Sequence, residues 1–352
     1  MQEESREFLK RLLESPSPSG YEQPIQDVVR EWASHHAEKI ETDTHGNVDA
    51  THNPGGSPIV MLAGHCDQIG LMVQHIDDQG FLFVQPVGGW YRQSLLGQKL
   101  TVWSNSGPIQ GVLSRKATHL MTSDEKKKVP DWTDVWIDIG ANDRKEIEDL
   151  IGPGDPVTLD LGFRELRNGM VTAPGLDDKS GLWTVMETLR LLKELNCKAE
   201  VHCVSTVQEE IGLRGARTSC YSIKPDVGIA VDVCHSADIP GSDKRQLGDT
   251  RLGNGPVVFR GPNVSPVVHE RLTSLAEQHE IPIQVRGAPR ATGTDANAIQ
   301  ITGDGVATAL IGIPNRYMHS PVEVVSTVDL KRASQLLAQF CASLTPDMKW
   351  TP

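Results

Sequence analysis

The sequence predicts an α/β fold, a mixed, mostly parallel sheet flanked by helices, interrupted by a small inserted β domain. Three observations carry this prediction. Continuous apolar runs such as PIVMLAG, GIAV and VATALIGI read as strands buried on both faces. Amphipathic helical patterns alternate with such runs on either side of the chain's middle. Between them, residues 70–163 carry closely spaced β-type runs separated by turn signals. A length of 352 residues predicts about two domains.

Taken in order, residues 22–40 place Ile25, Val28, Val29, Trp32 and Ala33 at helical spacing, with Pro24 where a first turn tolerates it. A hairpin-like stretch through Gly46-Asn47 follows. The strand PIVMLAGH then ends in His65-Cys66-Asp67, at a strand's carboxyl edge. From 70 to 163, FLFVQPV, KLTVWS, GVLSR, DVWIDIG and DPVTLDL alternate with turns at Asp78-Gln79-Gly80, Gly88-Gly89, Ser106-Gly107 and Pro153-Gly154. Only a short helix at 144–150 interrupts them, and the spacing fits a small barrel or a sandwich. The βα rhythm then returns: a helix at 180–195, strands AEVHCVSTV and VGIAVDV, a helix at 266–279, strands PIQV and VATALIGI, and a helix at 328–344. That last helix lines up Leu330, Ala333, Leu337, Phe340, Cys341 and Leu344 on one face. The expected division is one domain of residues 1–69 and 164–352, with 70–163 inserted.

Composition excludes several function classes. With 34 Lys+Arg against 46 Asp+Glu the net charge is −12, which argues against a nucleic-acid groove. The one basic run, Lys126 to Lys128, sits in a polar stretch and reads as a solvated loop. No apolar stretch approaches the ~18–20 residues of a membrane span, and MQEESREFLKRLLE lacks the features of a signal or transit peptide, so a cytoplasmic location is expected. Six scattered cysteines without a CxxC pair read as reduced core residues.

Five segments place acids or imidazoles at strand ends or in turns: GHCDQIG (His65, Asp67), APGLDDKSG (Asp177, Asp178), VQEEIGLRG (Glu209, Glu210), AVDVCH (Asp232, His235) and YMHSPVE (His319, Glu323). Each alone has a plainer explanation as a cap or a solvated loop residue. Together they suggest chemistry. Residues i and i+2 of a strand point the same way, so Asp67 can accept a hydrogen bond from the His65 ring, as carboxylates behind metal-bound histidines do. Of Asp177 and Asp178, one would be an N-cap and the other exposed on the plainer reading. Adjacent side chains on extended chain diverge, so one carboxylate of Glu209-Glu210 can bind metal while the other carries a proton. His235 reads as a neighbour rather than a ligand. His65, Asp177, Glu210, Asp232 and His319 offer two neutral imidazoles and three carboxylates; two divalent ions with a bridging hydroxide balance that charge. Such N/O ligands suit zinc, and also cobalt or manganese.

GHCDQIGLMV, APGLDDKSG, VQEEIGLRGA, VDVCHSADIPG, GTDANAIQ and RYMHSPVEVV, in this order and spacing, resemble the M42 family of metallo-aminopeptidases, the tetrahedral and glutamyl aminopeptidase group. SPSGYE, WIDIGA and GDPV extend the resemblance over nearly the whole chain. The resemblance implies a di-metal peptidase domain and an inserted β-barrel that dimerises, with assembly up to a tetrahedral dodecamer. It implies that His65 and Asp232 hold one metal, Glu210 and His319 the other, and that Asp177 bridges them. Glu209 is then the general base, Asp67 the orienter of His65, and the Asp177-Asp178 peptide cis. Gln68 departs from the Glu common in the family, which touches local hydrogen bonding but not the ligands. The expected substrates are peptides with a free N-terminus. The rivals are a related di-metal carboxypeptidase or N-acyl-amino-acid deacylase, with Arg290 or Arg316 as carboxylate clamp, and a non-catalytic metal-binding assembly subunit. Residues 239–255 are expected to form part of the pocket wall.

Overall fold

The computed structural model describes residues 1–352. Two helices open the chain, α1 (Glu3–Glu14) and α2 (Gln23–His36). α1 adds to the elements read from the sequence: its dense charges conceal the buried stripe Phe8, Leu9, Leu12 and Leu13. α2 starts with Pro24 in its first turn and buries Ile25, Val29, Trp32 and Ala33, the spacing read from the sequence. Strands β1 (Lys39–Thr42), β2 (Val48–His52) and β3 (Ile59–His65) follow.

The all-β segment is a closed barrel. Its strands are β4 (Gly70–Ile76), β5 (Leu82–Val87), β6 (Lys99–Ser104), β7 (Gly107–Arg115), β8 (Val135–Asp138) and β9 (Pro156–Leu159), arranged β4-β5-β8-β7-β6-β9 and closed by the pairing of β9 with β4. Closure leaves no sheet edge, and residues such as Leu71, Val84, Leu100, Val102, Leu113 and Ile137 fill the interior as a core separate from that of the rest of the chain. Besides a 3-10 turn at Arg144–Glu146, a short helix α3 (Ser123–Lys127) lies within the segment and carries Lys126 and Lys127 in its last turn, exposed as the basic run requires.

The remaining elements are β10 (Arg164–Glu165), β11 (Met170–Ala173), α4 (Leu176–Leu192), β12 (Glu200–Thr206), α5 (Arg214–Ile223), β13 (Val227–His235), α6 (Lys244–Leu247), β14 (Val257–Arg260), α7 (Pro266–Gln278), β15 (Gln284–Gly287), α8 (Asp295–Gln300), β16 (Ala307–Arg316), β17 (Glu323–Ser326) and α9 (Thr327–Ala342). They build one mixed sheet with β1–β3, ordered β1-β2-β12-β3-β13-β16-β17-β11-β10, with β14 and β15 branching from β16. Its centre, β12-β3-β13-β16, is parallel. Both margins are antiparallel, except for the parallel β14–β15 pair. This is the mixed α/β sheet that the continuous apolar runs predicted, since central strands are buried on both faces.

Helix α4 packs on β3 and β13 and against α9. That position explains why nearly all of it is buried, including Trp183 and Leu189. Gly64 makes the close packing possible: a Cβ there would lie 2.6 Å from the Leu182 nitrogen of α4. Parallel strands aligned in this way bring their carboxyl ends to one edge, where ligands bind in open α/β sheets. The register Thr206↔His65 sets the ends of β12 and β3 side by side there.

Candidate metal centre

Five segments converge at that edge. His65 ends β3; Glu209 and Glu210 follow β12; Asp232 lies in β13; Asp177 and Asp178 precede the regular part of α4; His319 sits in the turn between β16 and β17. Gln208 (φ 57°) and His319 (φ 59°) are non-glycine residues in the left-handed region, a conformation held where the surroundings over-determine it.

Asp177 stands between two imidazoles. Its Oδ1 lies 3.3 Å from His65 Nε2 and its Oδ2 3.2 Å from His319 Nε2. Around His65 Nε2 are also Glu209 Oε2 at 3.8 Å and Asp232 Oδ1 at 4.0 Å. Glu210 Oε2 lies 3.6 Å from His319 Nε2. On its other side the His65 ring meets Asp67, and here the structure corrects an expectation. Nδ1 approaches the Asp67 main-chain oxygen at 3.0 Å, closer than the carboxylate Oδ1 at 3.4 Å. With Nδ1 held there, Nε2 is the ring nitrogen that faces the acids, donating to Asp177 while it carries a proton and free to ligate an ion once the proton is lost.

The Asp67 carboxylate instead organises the neighbouring turn. Fully buried, it accepts hydrogen bonds from Ser19 Oγ (2.6 Å), Glu209 N (2.9 Å) and Glu210 N (3.2 Å). Glu22 accepts from the Gln208 N–H in the same turn. Glu323 does the equivalent for the second imidazole, its oxygens accepting from Asp177 N (2.7 Å) and His319 N (2.9 Å). These supporting roles of Ser19, Glu22 and Glu323 are hidden from sequence reasoning, because the groups they hold are remote along the chain or come close only through the return of Asp177.

Asp178 takes the N-cap role, accepting from Gly181 N at 3.0 Å, and also accepts the His65 N–H at 3.3 Å. Asp177, however, is buried rather than exposed, and the peptide between the two is cis. Gln68 accepts the Nζ–H of the buried Lys179 at 2.6 Å, so an uncharged partner holds the lysine that burial lowers to about 7. His235 is exposed and outside the cluster. Arg316 is paired with Asp238 through two contacts, at 3.0 and 2.6 Å, and is not a free carboxylate clamp.

Burial pushes most of these acids up. Glu209 and Asp178 rise well above the usual carboxylate range, and Glu210 and Asp232 rise to about 8, each through burial first and neighbouring acids next. Asp177 goes the other way: burial opposes it, but hydrogen bonds from His319 and His65 hold it low. His319 is raised to about 9 by its hydrogen bond to Asp177. A buried cluster with this excess of acids is short of positive charge. Glu210 Oε1 is buried without a hydrogen-bond partner, and ligand atoms of His65, Asp177 and Glu210, and of His65, Asp178 and Asp232, lie within 4.8 Å of one another. Mixed imidazole and carboxylate donors with no cysteine fit divalent ions.

The acids Asp177, Glu209, Glu210 and Asp232 and the His319 ring open onto a cavity of about 590 Å³. Of the expected wall at 239–255 only Gln246 and Leu247 contribute; the longer wall is 286–294.

The family model described as M42 glutamyl aminopeptidase matches residues 46–336. A lysyl aminopeptidase of Pyrococcus furiosus is 40% identical, over 98% of this chain and 99% of its own. A TET aminopeptidase from the marine sediment archaeon Thaumarchaeota archaeon SCGC AB-539-E09 superposes with a TM-score of 0.93 at 31% identity, covering 97% of this chain and 96% of that one. The Pyrococcus horikoshii TET1 peptidase, described as assembling into a tetrahedron or a large octahedral shell, does so with 0.86 at 30% identity, covering 97% and 100%. The chain belongs to the M42 glutamyl aminopeptidase family and is a peptide hydrolase of the aminopeptidase class.

Proposed function

We propose that this enzyme removes N-terminal residues from peptides with a free amine at a centre of two divalent ions. His65 and Asp232 would hold one ion, Glu210 and His319 the other, and Asp177 would bridge them. The observation that carries this is the placement of the two Asp177 oxygens, one 3.3 Å from His65 Nε2 and the other 3.2 Å from His319 Nε2. Bound divalent ions supply Lewis acidity toward the scissile carbonyl and lower the pKa of water, with zinc, cobalt or manganese matching the donors.

The chain's own part is proton transfer and orientation. Glu209 is the general base: its carboxyl, almost wholly buried, borders the cavity, and burial raises its proton affinity above the usual carboxylate range, which suits a group that takes up a proton. It takes the proton of the water that adds to the carbonyl carbon. It returns that proton to the amine nitrogen as the C–N bond breaks. Asp67 orients this machinery from two sides, through the His65 ring and through the Glu209 and Glu210 main chain.

The test is hydrolysis of aminoacyl-p-nitroanilides by metal-stripped protein, before and after adding zinc, cobalt or manganese. Activity is expected only with metal. Glu209→Gln should keep its metal and lose turnover by roughly 10²–10⁴-fold, whereas His319→Ala should lose metal occupancy. Full activity in Glu209→Gln would refute the assigned base.

We also propose that residues 70–163 act as the dimerisation domain inserted into a peptidase domain of 1–69 and 164–352. The exposed Val112, Leu120 and Val129 give that segment apolar surface that self-association would cover, and a tetrahedron, described for the Pyrococcus horikoshii neighbour, and a dodecamer, described for the solved PhTET1-12s, make a tetrahedral dodecamer the assembly to test by light scattering. Six buried, unpaired cysteines support a cytoplasmic setting.

A further inference from the structure

Three short stretches beside the metal centre contain no charged residue: residues 88–91 (GGWY) in the inserted segment, 211–213 (IGL) after Glu210, and 317–318 (YM) before His319. Of these residues only Met318 lines the cavity that the acids open onto. Three large side chains among the rest are left in solvent: Ile211 is 43% exposed, Tyr317 47% and Tyr91 60%.

All three lie next to one pair of candidate ligands. Ile211 follows Glu210 and Tyr317 stands two residues before His319, and Glu210 Oε2 is 3.6 Å from His319 Nε2. The loop after β5 reaches the same pair. A Cβ on Gly88 would lie 3.5 Å from Glu210 Cβ, and one on Gly89 would lie 3.5 Å from His319 Nδ1. Trp90 Nε1 pins this loop by donating to the Gly70 main-chain oxygen at 2.8 Å, and Tyr91 is the next residue. Tyr317 also holds φ at 65°, a left-handed backbone that disfavours a bulky side chain. Such a conformation is kept where function uses it.

An extended chain sends successive side chains to opposite sides. With the bond to be cut at the metals and the first side chain in the cavity, the second is carried out of the cavity, beside Glu210 and His319. An apolar side chain settling there releases water from its own surface and from the rim. A charged one finds no opposite charge in the three stretches.

We propose that Ile211, Tyr317 and Tyr91 form an apolar subsite for the second residue of the peptide, so that the enzyme prefers a large apolar residue directly after the bond it cuts. This rests on the aminopeptidase function proposed above.

The test uses the full-length, metal-reconstituted protein and peptides X-Phe-Ala-amide and X-Ala-Ala-amide with a free amine, X being Glu, Leu or Lys. The ratio is taken at the X that is cleaved fastest. The expected kcat/KM with Phe at the second position exceeds that with Ala by about tenfold. Tyr317→Asn puts a residue that tolerates the left-handed backbone in place of the ring; combined with Ile211→Ser it should bring the ratio close to one, whereas Tyr317→Phe should keep it. Each ratio compares two peptides on one sample, so losses from folding or metal loading cancel. A ratio of one or below in the natural enzyme, or a Phe preference that survives the double variant, overturns the subsite while leaving the aminopeptidase function intact. So does a double variant that alters the assembly in light scattering but not the ratio, which would assign the rim to a second copy of the chain. Cleavage of none of the peptides with metal bound overturns the aminopeptidase function, and the subsite with it.

Discussion

Glu323 holds Asp177 by its main chain, Oε2 accepting the Asp177 N–H at 2.7 Å across 146 residues of sequence. The other oxygen accepts the His319 N–H at 2.9 Å. One buried carboxylate thus fixes the spacing between the acid that stands amid both imidazoles and one of those imidazoles.

Glu323→Gln is therefore expected to loosen the centre without touching a ligand. An amide NH2 would face one of the two N–H groups, leaving a buried donor unpaired at a cost of about 1–3 kcal/mol. Metal affinity should fall by about 10–100-fold, as for other groups that position ligands. A chelator-competition titration together with denaturant unfolding measures both. Unchanged affinity with lowered stability would show that Glu323 serves the fold alone.

Gly64 gives a second prediction, from packing. A Cβ there would meet the backbone of α4 at 2.6–2.8 Å, at the residue before His65, whose N–H reaches Asp178. Backbone cannot swing aside as a side chain can, so Gly64→Ala should cost about 1–3 kcal/mol or more and weaken metal binding. Gly152 supplies the control, because an added methyl there would have no atom within 4 Å: Gly152→Ala should change neither. Equal stability of the two variants would contradict the packing argument.

How far the sequence disclosed this arrangement depended on the range of each signal. The strand runs, α2 and α9 carried local periodicity, and the acids and imidazoles of the centre stood out as polar breaks at the ends of apolar runs. The residues behind them did not. Ser19 reaches Asp67 across 48 positions and Glu22 reaches Gln208 across 186, and nothing in SPSGYE by itself predicts those contacts. Asp295 accepts from Thr206 at 2.6 Å beneath the site for the same reason, visible only once β12 and α8 are packed. α5 escaped notice because Arg214–Ile223 is largely polar and buries only Gly215, Ala216, Ser219 and Cys220. Small residues leave a weak periodic signal.

The last prediction concerns metal removal and pH. In the metal-free protein burial raises Glu210 and Asp232 to about 8, whereas unfolded carboxyls titrate near pH 4. Their folded pKa values lie above the unfolded ones, so the stability they lend is fully present below about pH 4 and is lost as pH rises toward 8. His319, raised to about 9 by its Asp177 hydrogen bond, acts in the same sense, its contribution being lost above the ordinary imidazole range of about 6.5. Between pH 5 and 7 the metal-free enzyme should therefore become less stable as pH rises. Divalent ions compete with those same protons and bind only the folded arrangement, so their stabilising effect should grow across this window. Denaturant unfolding at pH 5, 6 and 7, with chelator and with saturating metal, reads the gap between the two curves. A gap that stays constant or narrows toward pH 7 would mean that the buried acids of this cluster do not hold the ions.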